Sequence, residues 1–150
     1  MLIKTHLNFA IFAILLFVNF VNDKFIFIGL FIIATFLPDM DAGFSTLGKK
    51  AISKPIQLFT RHRGIMHSIT FAVFISLIIS IYFPVASLGF FIGYSLHILA
   101  DSFTKDGVQP FWPFRARSSG FILTGGKLEE SIFFFMIFAN ISLFLIIFFF

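Results

Sequence analysis

Gly93-Tyr94-Ser95-Leu96-His97-Ile98-Leu99-Ala100-Asp101 closes a run of apolar residues that begins at Val85. On a helix, residues four apart share a face, so His97 and Asp101 point the same way and Gly89 and Gly93 continue their row into the apolar part. Ionisable groups at membrane depth are costly and mark functional sites. Small residues at every fourth position let a neighbouring helix come close. The segment therefore predicts a membrane helix that presses His97 and Asp101 against partners on other helices, a spacing suited to two ligands of one metal.

Four further apolar runs flank it: Leu7 to Val21, Phe25 to Leu37, Ile69 to Phe83 and Ile132 to Phe150. Several fall short of the roughly 20 residues that cross a bilayer core, so their polar ends must lie within the membrane profile. A hydrophobic content of 59% and a mean hydropathy of +1.02 exclude an ordinary soluble domain. The expected fold is an all-α, polytopic membrane helix bundle of about five transmembrane or partly spanning helices. It forms one domain over 1–150, with cytoplasmic loops at about 38–66 and 102–130. The 27 phenylalanines fall mostly inside the apolar runs and read as membrane filling.

If the spans alternate in direction, Lys4, Lys49, Lys50, Lys54, Arg61, Arg63, Lys105, Arg115, Arg117 and Lys127 share one side and Lys24 stands alone on the other. The positive-inside rule then puts the N-terminus and both long loops in the cytoplasm, in a multi-pass membrane protein. Lys4 and the apolar run after it resemble a signal peptide, but no small-x-small site precedes Asn22-Asp23, so an uncleaved first span is expected. The net charge of +4 is spread through loops, which suits membrane lipid headgroups; direct nucleic-acid binding is not expected. Arg115 and Arg117 are expected to meet those headgroups.

The remaining histidines and their neighbours fall at the same ends of the runs: Thr5-His6, Pro38-Asp39-Met40-Asp41, and His62-Arg63-Gly64-Ile65-Met66-His67-Ser68. Pro38 restricts Leu37 and lacks a backbone donor, so the second helix ends there and Asp39 and Asp41 start a turn. In an extended segment their side chains would point the same way. His67 and Ser68 begin the third helix, where the dipole favours anions.

With no cysteine, a metal must be held by His, Asp, Glu, backbone or water. Such donors suit Zn, Mn or Fe. We expect a divalent transition metal, Zn or Mn, as one or two ions. The expected ligands are His6, Asp39, His67, His97 and Asp101. Asp41 or His62 would serve as general base or orient a ligand, and Arg63 would stabilise developing negative charge. Ser68 and Thr104 would orient ligands. Asp106, Glu129 and Glu130 read as solvated charges, and Asn19 and Asn140 as interhelical hydrogen-bond partners.

The motifs Pro38-Asp39-x-Asp41, His62-Arg63-Gly64-x-x-His67-Ser68 and Gly93-Tyr94-x-x-His97-x-x-x-Asp101-x-x-Thr104-x-x-Gly107, followed by Pro113-Phe114, resemble the YdjM-like family of inner-membrane, metal-dependent hydrolases. The resemblance runs from about Thr5 to Phe114. It implies a small multi-span hydrolase, and the family's name links some members to binding of the SOS repressor LexA. The leading expectation is a hydrolase at the cytoplasmic membrane boundary, acting on a phosphoester or lipid-like substrate. A metal or ion transporter is one alternative, although transport needs polar groups along a path and only Asn19 and Asn140 interrupt the outer halves of the spans. A non-catalytic membrane adaptor, recruiting a cytosolic protein through its basic loops, is the other.

Overall fold

The computed structural model describes residues 1–41 and 65–149, the Asp41 side chain excepted. Among the described residues there are five α-helices: α1 (Ile3–Phe17), α2 (Lys24–Phe36), α3 (Ile69–Ser80), α4 (Pro84–Ser102) and α5 (Lys127–Phe149). Short 3-10 turns cover Val18–Phe20, Pro38–Asp41 and Ile65–His67. No strand forms among these residues, and the all-α expectation is met. The stretch Ile3–Phe20, α4 and α5 are long and apolar enough to cross a membrane. The 13 residues of α2 and the 12 of α3 reach only about 20 Å, short of a hydrocarbon core of about 30 Å.

Local chemistry sets the boundaries. Ser68 caps α3, its hydroxyl accepting from Phe71 N at 3.2 Å. Pro84 opens α4, where its missing N–H costs no helical hydrogen bond. Beyond Leu37 the chain tightens into a 3-10 turn rather than extending.

The centre of the bundle is α2 against α4. A Cβ added at Gly89 would lie 2.7 Å from Phe27 O, and one at Gly93 would lie 2.3 Å from Phe31 O. Only glycine allows the two backbones to meet there. Phe27 and Phe31 fill the seam, and Thr35, one turn further, donates to Phe31 O at 2.8 Å. Against this pair α1 lays its small residues Ala10 and Ala13, while α3 buries Ala72 beside Phe90 and Tyr94. Helix α5 packs chiefly on α1.

Between α4 and α5 the chain folds into a compact loop. Val108 and Ser118 exchange backbone hydrogen bonds of 2.8 and 2.9 Å, and Gly120 N donates to Thr104 O at 2.9 Å. Gly107 turns this loop at a φ of 59°, a left-handed conformation that favours glycine. Ile69 N donates to Pro110 O at 2.8 Å, which docks the loop on the first turn of α3.

Candidate metal centre

Four elements converge at one end of this bundle. His6 lies on the first turns of α1, Asp39 in the 3-10 turn after α2, His67 just before α3, and His97 with Asp101 on the last turns of α4. The row Gly89, Gly93, His97, Asp101 explains the convergence. Close backbone approach at the glycines carries the next two turns of α4 into the end of α2 and the face of α1.

The cluster is dry. His6, His97 and Asp101 are 1, 1 and 3% exposed, and His67 is fully buried. The His6 and His97 rings stack with centroids 4.0 Å apart, and His67 meets His97 edge-on at 5.7 Å. His6 Nε2 lies 3.3 Å from Asp101 Oδ1. His97 Nε2 lies 3.7 Å from Asp101 Oδ2 and 3.8 Å from Asp39 Oδ1. The α-amino group of Met1 also meets Asp101 Oδ1, so this carboxylate draws positive charge. Burial pushes the Asp39 carboxyl above its ordinary pKa, opposed by the nearby His6 and reinforced by Asp101.

These residues fit a bound cation. Two overlapping groups, His6–His97–Asp101 and Asp39–His67–His97, each keep one ligand atom per residue within 4.8 Å of the others. Donors bound at about 2.1 Å around a tetrahedral ion sit ~3.4 Å apart, close to the contacts of 3.3, 3.7 and 3.8 Å. None of the four ring nitrogens of His6 and His97 makes a hydrogen bond among the described residues. Buried polar atoms are normally paired, and an ion shared with the carboxylates would pair one nitrogen of each ring.

Surrounding groups hold the backbone next to these side chains in place. The fully buried Tyr94 donates its hydroxyl to Met66 O, fixing the turn that ends in His67. Ser68 caps the helix after His67, and Thr104 Oγ1 donates to Asp101 O at 2.7 Å, closing the end of α4. Both hydroxyls therefore act on backbone next to the cluster rather than on the side chains of the candidate ligands.

Glu129 departs from expectation. It is 1% exposed, not solvated. Its Oε1 accepts from Leu2 N at 2.6 Å and Thr5 Oγ1 at 2.8 Å, and its Oε2 from Gly125 N at 2.7 Å. Three donors compensate the buried carboxylate and bind the start of α5 to the turn that carries His6. No local pattern announces this, because two of the donors lie at the other end of the chain. Asp106 and Glu130 are exposed, in line with a solvated role. Asn140 Nδ2 donates to Asn8 O at 3.1 Å across α5 and α1, whereas Asn19 is exposed in its 3-10 turn. The Asp41 side chain, His62 and Arg63 lie outside the described residues.

The family whose model matches this chain is described as "YdjM inner membrane protein", and the match runs over residues 1–150. The chain belongs to the YdjM family. It is a membrane protein of that family. The "Inner membrane protein YdjM" of Escherichia coli (strain K12) is 39% identical over 113 residues, covering 67% of this chain and 58% of the relative. The protein of the same name from Shigella flexneri matches to the same extent. The "Uncharacterized protein YvsG" of Bacillus subtilis (strain 168) is 28% identical over 104 residues, covering 65% of each chain. This YdjM-family chain thus spans less than two thirds of the length of these relatives. No solved structure matches it.

Proposed function

We propose that this YdjM-family protein is a metal-dependent hydrolase of the inner membrane, with its N-terminus in the cytoplasm and its site at the cytoplasmic boundary. The observation that carries the reading is His97 Nε2, buried within 4 Å of two carboxylates, Asp101 on its own helix and Asp39 from the turn after α2. His6, Asp39, His67, His97 and Asp101 would hold the ion. Zn or Mn suits these donors, and when bound it supplies activated water and polarisation of the scissile group.

The protein's own groups do the rest. Glu129 ties the His6 turn to the start of α5, and Tyr94 ties the His67 turn to α4. Asp41 or His62 would take the proton from the attacking water, and Arg63 would balance charge building on the leaving oxygens. A site at the membrane boundary favours a phosphoester or other lipid-like substrate. LexA, or another cytosolic regulatory protein, is a partner suggested by family resemblance alone.

Transport is disfavoured by what lies beneath the cluster. Towards the opposite end, α1, α2 and α4 close on Ala13, Ile14, Val18, Phe27 and Phe31, with no polar relay among the described residues of that seam. The test is a screen of lipid phosphoesters with purified protein stripped of metal and reloaded with Zn or Mn. Hydrolysis that requires the ion and disappears in His67→Ala supports the reading. Metal flux in proteoliposomes, abolished by the same change and without hydrolysis, would replace it with transport.

A further inference from the structure

Phe111-Trp112-Pro113-Phe114-Arg115-Ala116-Arg117 are seven consecutive exposed residues outside any helix. Phe111 is 56% exposed, Trp112 41% and Phe114 72%. Three large aromatics exposed within four consecutive residues form a contiguous apolar patch of the kind that marks an interaction surface. This tip is not a loose excursion. Its base is clamped by the paired backbones of Val108 and Ser118, the Pro110 carbonyl accepts from Ile69 N, and Arg117 donates to the Asp106 carbonyl.

We infer that this tip is an interfacial anchor seated in the headgroup layer of an anionic leaflet. Three observations select the membrane as its occupant. The loop joins two helices long enough to cross a bilayer, α4 and α5, so it lies at a membrane face by connectivity. Its aromatics lead directly into Arg115 and Arg117, and rings that dip below headgroups with arginines at phosphate level match the two layers of a leaflet. Further exposed apolar groups, Phe103 and Phe121, lie at the base of the same loop.

The anchor is joined to the candidate centre. Ile69, which the loop holds, is two residues from His67, and Thr104, where the loop begins, bonds the carbonyl of Asp101. Seating the loop therefore fixes the depth of two ligand-bearing segments. The inference stands whether or not the site binds an ion.

Trp112 is the only tryptophan in the chain, so its fluorescence reports on this tip without any substitution. The protein is placed in lipid nanodiscs of phosphatidylglycerol or phosphatidylcholine, with bromine on shallow or deep acyl positions, and iodide is used as the aqueous quencher. Seating predicts blue-shifted emission, severalfold stronger quenching by shallow than by deep bromine, and weak quenching by iodide. The blue shift and the bromine quenching should be stronger in phosphatidylglycerol, with that preference lost in Arg115→Gln/Arg117→Gln. Strong iodide quenching without bromine quenching would overturn the inference and leave the tip in water, free for a soluble partner. Equal behaviour in the two lipids would overturn its anionic part.

Discussion

Helices α4 and α5 are both long enough to cross a membrane, yet 56% of the membrane-length stretch of α4 is buried in the protein and only 11% of that of α5. The difference lies in side-chain size. α4 carries Gly89, Gly93 and Ala100 and so lets α2 approach to backbone contact; α5 carries Phe134, Phe135, Phe138 and Phe144, which project outward. Where lipid solvates apolar groups as well as a protein core does, bulk alone brings no helices together, and close fit and polar contacts decide association. The helix that packs by close approach also carries the candidate ligands. The aromatic helix adds one stripe, Glu129, Met136 and Asn140, against α1.

The sharpest way to break the contrast is to give α4 a side chain where α2 touches it. Gly93→Leu should destabilise the bundle by about 1–3 kcal/mol or more, since its Cβ would collide with the backbone of Phe31. Phe138→Leu on the exposed face of α5 should stay within about 0.5 kcal/mol. Thermal unfolding in mild detergent compares the two, and equal effects would remove the distinction.

A subtler test asks whether α5 reaches the site. Glu129→Gln keeps the size of the side chain and removes the charge that holds Leu2, Thr5 and Gly125. Metal affinity should fall about 10-fold, as for residues that orient ligands, while the helix content by circular dichroism is unchanged. Unaltered affinity would reduce Glu129 to a fastener of α5. The smallest effect is expected at Asn140→Leu, which removes the contact with Asn8. Interhelical hydrogen bonds of this kind average about 0.6 kcal/mol in membranes, so the unfolding midpoint should drop slightly and metal content should not change.

Much of this arrangement was legible in the sequence because the signals are local. Apolar runs gave the helices, four-residue spacing joined His97 to Asp101, and Pro38 marked the end of α2. The structure brings His6, Asp39, His67, His97 and Asp101 to one end of the bundle. What stayed hidden depends on residues far apart in the chain. Glu129 reads as one of two adjacent glutamates at a helix start, and only the folded chain sets it against Thr5. The hydroxyl of Tyr94 carries no local hint that it reaches Met66. The loop after α4 is held by pairs such as Val108 and Ser118, whose register no periodicity announces. The turn after Pro38 was legible too, although a proline-led turn can extend or tighten, and here it tightens into a 3-10 turn over Pro38–Asp41.

Elemental analysis of the purified protein, beside His97→Ala/Asp101→Ala, bears most directly on the claim that these side chains share an ion. The expected result is a stoichiometric divalent transition metal in the parent and background levels in the variant, with both eluting as the same folded species from a sizing column. A parent without metal after growth and reconstitution with Zn or Mn, or a variant that retains the parent's full content, would contradict it.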